Sequence, residues 1–148
     1  MTVITTPTSE LVAVAWIRSL GLPVDGVGTS LPAESEWLRR GFVTVFVVSG
    51  PASIYTPVST PRVQLDCWAA DKDHKHPPWG RANVLAQLIF NATQHLDTSR
   101  AVTLPSGYDK ANVKSVWPLT EPQRLQSDPA YVARYKIDVA LMWASHTR

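Results

Sequence analysis

Cysteine is nearly absent from this chain: Cys67 stands alone among 148 residues, so no internal disulfide is available and packing alone must carry the fold. A reducing compartment suits such a chain. Glycine is sparse as well, and the short "GVGTS" at 26–30 is no phosphate-cradling loop, because it is too brief and lacks the lysine that would reach a phosphate. There is no Gly-x-Ser-x-Gly elbow for a serine nucleophile and no His-Glu-x-x-His helix for zinc. Charge of one sign is missing too. The 14 basic and 12 acidic side chains leave a net +2 and form no runs, which gives no field strong enough to grip a nucleic-acid backbone. The apolar stretch at the beginning, "LVAVAWIRSLGLP", is broken by Arg18 well short of a membrane span, and no basic leader with a small-residue cleavage site precedes it. A soluble, cytosolic chain without a membrane partner is expected.

What the chain does hold is apolar side chains, 45% of residues with six tryptophans among them, enough for a core and against global disorder. A single domain over 1–148 is the default at this length. Thr8, Ser9 and Glu10 read as a helix start, Ala13, Trp16, Ile17 and Leu20 share a stripe, and Gly21 followed by Pro23 ends it, predicting a helix over about 8–20. The segment 23–32 has room for only a short extended piece at a sheet edge, and "ESEWLRRG" for one helical turn around Trp37 and Leu38. The β-branched and aromatic run "FVTVFVVS" at 42–49 predicts a central strand covered on both faces.

A proline-rich loop at 50–61 then leads to "RVQLDCWA" at 62–69, which alternates: Val63, Leu65, Cys67 and Ala69 face one way, Arg62, Gln64, Asp66 and Trp68 the other. Leu85, Leu88, Ile89, Ala92 and Leu96 recur at helical spacing and predict a helix over 79–96. "ANVKSVWP" at 111–118 reads as a strand, 119–130 as a polar loop twice broken by proline, and 131–143 as a long strand. In that strand Tyr131, Ala133, Tyr135, Ile137, Val139, Leu141 and Trp143 oppose Arg134, Lys136 and Asp138. The order α-β-β-α-β-β predicts an α+β fold, an antiparallel sheet of about four strands with two helices on one face.

The densest cluster of chemically capable residues is "DCWAADKDHKHPPWG" at 66–80. Zinc would need four converging ligands, yet strand alternation sends Asp66 and Cys67 to opposite faces with Cys67 toward the core, leaving only His74 and His76 on the loop able to approach one ion together. A solvated turn explains the stretch without a metal: the residues before Pro77 and Pro78 are held extended, the prolines pre-set the start of a helix, and Trp79 anchors that helix on the sheet. His95 at a helix end and His146 in the tail read as surface residues. The residues carry no catalytic constellation, cofactor site or metal site. The polar strand faces, Arg62, Gln64, Asp66, Trp68, Arg134, Lys136 and Asp138, predict a mixed surface for protein contact, with Trp68 among charges as its anchor.

Taken in order, "AWIRSLGLPVDGVGTSLP", "GFVTVFVVSG" and "VQLDCWAADKDHKHPPWGRANVLAQLI" resemble the tail terminator proteins of long-tailed bacteriophages, also called tail completion or tail-to-head joining proteins, in the form found in phages of actinobacterial hosts. The likeness runs over about 11–92 and, more loosely, through "Y-x-I-D" near Ile137. It implies a non-enzymatic virion protein without cofactor, assembled in the host cytoplasm, whose copies close into a hexameric ring on the last ring of the tail tube. Its implied partners are itself, the major tail tube protein and a head-tail connector or stopper, with DNA passing through the lumen without specific binding. The loops at 50–61 and 119–130 are expected to touch neighbours or the tube. Two other readings compete: another neck component, such as a head-tail stopper or connector, and a small metal-dependent hydrolase built on Asp66, His74 and His76.

Overall fold

A computed structural model describes residues 6–49, 58–73, 77–94, 97–108, 110–126 and 131–145. The first helix, α1 (Ser9–Arg18), begins where the Thr8 hydroxyl accepts the Leu11 N–H at 3.2 Å. Gly21 stands just past its end at φ +66°, a conformation that suits glycine. The second helix, α2 (Trp79–Gln94), starts directly after Pro77 and Pro78.

Eight strands form one sheet: β1 (Gly26–Gly28), β2 (Phe42–Ser49), β3 (Val58–Ser59), β4 (Arg62–Ala70), β5 (Arg100–Val102), β6 (Ala111–Pro118), β7 (Gln123–Leu125) and β8 (Val132–Ser145). The path runs β1-β2-β4-β8-β6-β5, with β3 and β7 also paired to β8. This overturns the four-stranded antiparallel expectation. The sheet is mixed, because β1 lies parallel to β2 while the other pairs are antiparallel, and it curls into a half-barrel. The physical reason for the discrepancy is strand length: β1, β3, β5 and β7 have two or three residues each, too few for any periodicity to register. β2 also departs from expectation, since it lies one strand from the sheet edge rather than at its centre.

The long β8 organises the fold. It pairs with β4 from Val132 to Ala140, with β6 from Val139 to Ser145, and with β7 at residues 134–136. Register shifts at Val47/Ser49 and Val113/Ser115 bend the sheet, as extra residues in a ladder do. On the edge strand β1, the Val27 carbonyl is taken by Arg18 Nη2 at 2.8 Å.

Both helices pack against one face. Val12, Trp16 and Ile17 of α1 and Leu85, Ala86 and Ile89 of α2 join Val43, Val45, Val63, Leu65, Cys67, Ile137, Val139, Leu141 and Trp143 in a single buried cluster. Trp16 satisfies its indole N–H within that core by donating to Thr98 O at 3.0 Å. Among the described residues no helix is long and apolar enough to cross a membrane.

Candidate interaction surface

The other face of the sheet carries the polar side chains. Antiparallel register sets Gln64 opposite Asp138, Asp66 opposite Lys136 and Trp68 opposite Arg134. Two ion pairs then run diagonally between the strands, Arg62 Nη2 to Asp138 Oδ2 and Arg134 Nη2 to Asp66 Oδ2, each at 2.9 Å, and along β8 itself Lys136 Nζ lies 3.6 Å from Asp138 Oδ2. Gln64 Nε2 donates to Asp66 at 3.2 Å. All seven predicted residues therefore lie on one ladder, but not as a simple solvated surface. Asp66 is buried and Asp138 is only 2% exposed, because neighbouring strands and the long side chains across the ladder cover them.

Trp68 is half-buried, and the structure gives it a role other than that of a free anchor. Its indole N–H donates to Thr44 Oγ1 at 2.9 Å, the Arg134 guanidinium lies 4.9 Å from its ring centroid, and Trp37 meets it edge-on at 6.4 Å. Trp37, with Leu31 and Leu38, roofs this end of the face over Phe42, Ala70 and Val132. Trp79 packs on the opposite face with Ala69, Ala82 and Ala133, edge-on to Tyr135 at 6.2 Å and beneath the Arg124 guanidinium at 4.8 Å.

Beyond that roof the face lies open, and apolar side chains occupy it. Phe46, opposite Gln64, is 61% exposed, Val48 on the same strand is 48% exposed, and Trp117, opposite Ala140, is 36% exposed. Strand β2 is thus covered on both faces only at its Phe42 end, contrary to its expected burial on both along its length. Sequence reasoning missed Phe46 because a run of apolar residues reads the same whether one or both of its faces are covered. The one available signal was parity: Phe46 and Val48 share it with Thr44, the single polar residue in the first seven positions of the run.

No family model matches the chain, and no curated protein matches it.

In the 66–80 cluster, ion pairing and packing account for Asp66 and Cys67. Asp66 is committed to Arg134 and Gln64, and Cys67 is fully buried on the opposite face, where burial, reinforced by the Asp66 charge, pushes its thiol well above the ordinary range. His74, His76, His95 and His146 lie outside the described residues, as do 50–57 and 127–130 of the two loops assigned to neighbour contact. Within the second loop, Leu119 and Thr120 donate their N–H groups to Asp138 O, and Gln123–Leu125 forms β7.

Just past the end of β4, Lys72 Nζ meets the Glu34 carboxylate, as does the Tyr131 hydroxyl at 2.7 Å. The hydrogen bond from Lys72, then that from Tyr131, holds Glu34 below the usual carboxylate range, and Glu34 in turn raises Lys72 and Tyr131. The contribution from Glu34 is present above its ordinary pKa and lost as pH falls through the lowered folded value. Those from Lys72 and Tyr131 are present below their ordinary values and lost as pH rises through the raised ones. The gap in urea midpoint between the natural chain and Glu34→Gln should therefore be flat from about pH 5 to about pH 9 and shrink at both extremes. A gap that persists unchanged at about pH 2 would rule out the carboxylate as its source.

Proposed function

We propose that this chain is a structural virion protein that caps a phage tail tube as a ring, ends its polymerisation and joins it to the head connector. The observation that carries the reading is the unroofed sheet face, on which Phe46, Val48 and Trp117 stand exposed around a charge ladder already paired within the chain. Apolar anchors ringed by polar groups make up an interface core and rim. Internal pairing of Arg62, Arg134 and Lys136 with Asp66 and Asp138 lowers the cost of covering them, since no lone charge is stripped of water. The ordered likeness to tail terminator proteins supplies the phage context.

Tube subunits stack through a heterologous contact that does not close, so growth stops only when a different protein occupies the end. Such a protein works by shape and surface polarity, with no reactive group, cofactor or metal. Its partners are its own copies, the tube protein and a connector, and it resides in the virion with DNA passing through its lumen.

Interrupting the coding sequence in the parent phage is expected to give tails of uncontrolled length, unattached to heads, and the purified chain added back should occupy tube ends in electron micrographs. Tails of normal length joined to heads in the interrupted phage would sink the reading. A label on the chain that sits on the head side of an intact cap would assign it to the connector layer instead.

A further inference from the structure

The helix side of the molecule holds a second surface, distinct from the open sheet face. Arg39, Arg40 and Arg81 line an open cleft of about 390 Å³, with Val84 and Leu85 of α2 along its floor. Two N–H groups of Arg81 are committed to backbone carbonyls, Nη1 to Ala70 O at 3.2 Å and Nη2 to Arg39 O at 3.0 Å, which fixes this cation as one wall of the cleft. Asp25 reaches the same corner but accepts the backbone N–H of Arg40 at 2.8 Å. No described carboxylate forms an ion pair with any of the three guanidinium groups. Beside them Val84 and Leu88, one turn apart on the helix, are 54% and 40% exposed.

Three like charges held around one cleft repel each other, and a carboxylate placed among them would relieve that repulsion. Guanidinium forks take carboxylates in paired hydrogen bonds, and bare aliphatic side chains next to the forks call for an apolar neighbour on the same ligand. A nucleic-acid backbone offers the negative charge but nothing to cover Val84 and Leu88, and surfaces that hold it use polar hydrogen-bonding groups around their cations. We propose that this cleft docks an acidic segment of a partner protein, its carboxylates on Arg39 and Arg40 and an apolar side chain over Val84 and Leu88. The inference stands apart from the capping role: either can fail without the other.

The probe is a fluorescent, blocked hexapeptide with acidic residues on both sides of a Leu-Phe pair, titrated with the whole chain at low salt and followed by anisotropy. Saturable binding is expected, weakened about tenfold by Arg39→Gln with Arg40→Gln and about fivefold by Val84→Ser with Leu88→Ser. Phe46→Glu should leave it unchanged. These side chains are exposed, and melting curves check that each variant keeps its fold. Four results would overturn the proposal: no saturable binding, equal binding of an all-acidic peptide without the Leu-Phe pair, tighter binding of a short DNA duplex through the same arginines, or loss of self-association in the arginine variant, which would make a second copy the occupant.

Discussion

Replacing Phe46 and Trp117 together by glutamate is expected to reduce occupancy of tube ends at least about a hundredfold at fixed protein concentration, while the chain stays folded. Both rings lie on the open face of the sheet: Phe46 is 61% exposed, so losing it removes little burial on folding, whereas Trp117 is 36% exposed and its loss removes more. A surface change like that at Phe46 costs within about 0.5 kcal/mol, and the one at Trp117 stays below the stability of a typical domain. In an assembled ring the same positions would be covered, and truncating one buried aromatic anchor costs about 2 kcal/mol or more. The glutamates add the desolvation of an unpaired charge. Two such sites exceed the roughly 2.8 kcal/mol that a hundredfold change requires. Leu88→Glu, on the helix side, serves as the control and should leave capping unchanged. The assay is a count of capped tube ends in micrographs alongside melting curves, and full capping by the double variant would show that this face is not the interface.

Gly41→Ala should destabilise the chain by about 3 kcal/mol or more, which for a chain of this size lowers Tm by roughly 6–12 °C. Gly41 adopts φ +97°, where a side chain is strained regardless of space. A Cβ there would also sit 2.5 Å from the Trp68 carbonyl oxygen and 3.2 Å from Leu85 Cδ1. The first of these is backbone of β4, paired to Phe42 at the end of the β2–β4 ladder and to Arg134 within the β4–β8 ladder, and cannot swing aside. Nor can Gly41 itself move freely, since its N–H donates to Trp37 O and its carbonyl accepts from Asp25, both at 2.9 Å. The contrast is Gly80→Ala, where an added Cβ meets nothing within 4 Å and helix propensity favours alanine. A loss below about 1 kcal/mol in Gly41→Ala would mean that the turn relaxes and the strain argument fails. Because Gly41 joins the arginine-bearing segment to the strand that carries Phe46, its variant should also blunt both binding assays.

The chain's own pattern determined the elements whose signal is local. Thr8 and Gly21 bracket α1 and the Pro77–Pro78 pair sets the start of α2, since caps and prolines act on the residues next to them. Alternation sorted the faces of β4 and β8, because side chains on successive strand residues must point opposite ways wherever the strand goes. It likewise placed Arg62, Gln64, Asp66 and Trp68 together, and Arg134, Lys136 and Asp138 together.

Tertiary structure alone decided which partners these strands find. β8 pairs with β4, β6 and β7 at once, β1 runs parallel to β2, and three-residue strands exist only because a neighbour offers them a ladder. The same pairing closed Arg62 onto Asp138 and Arg134 onto Asp66, burying two carboxylates that the pattern alone left on a solvated face. It also left Phe46 uncovered, since neither helix reaches its side of the sheet. Alternation settles which way a side chain points, but whether water or protein lies there depends on chain segments far away in sequence, and no local period encodes them.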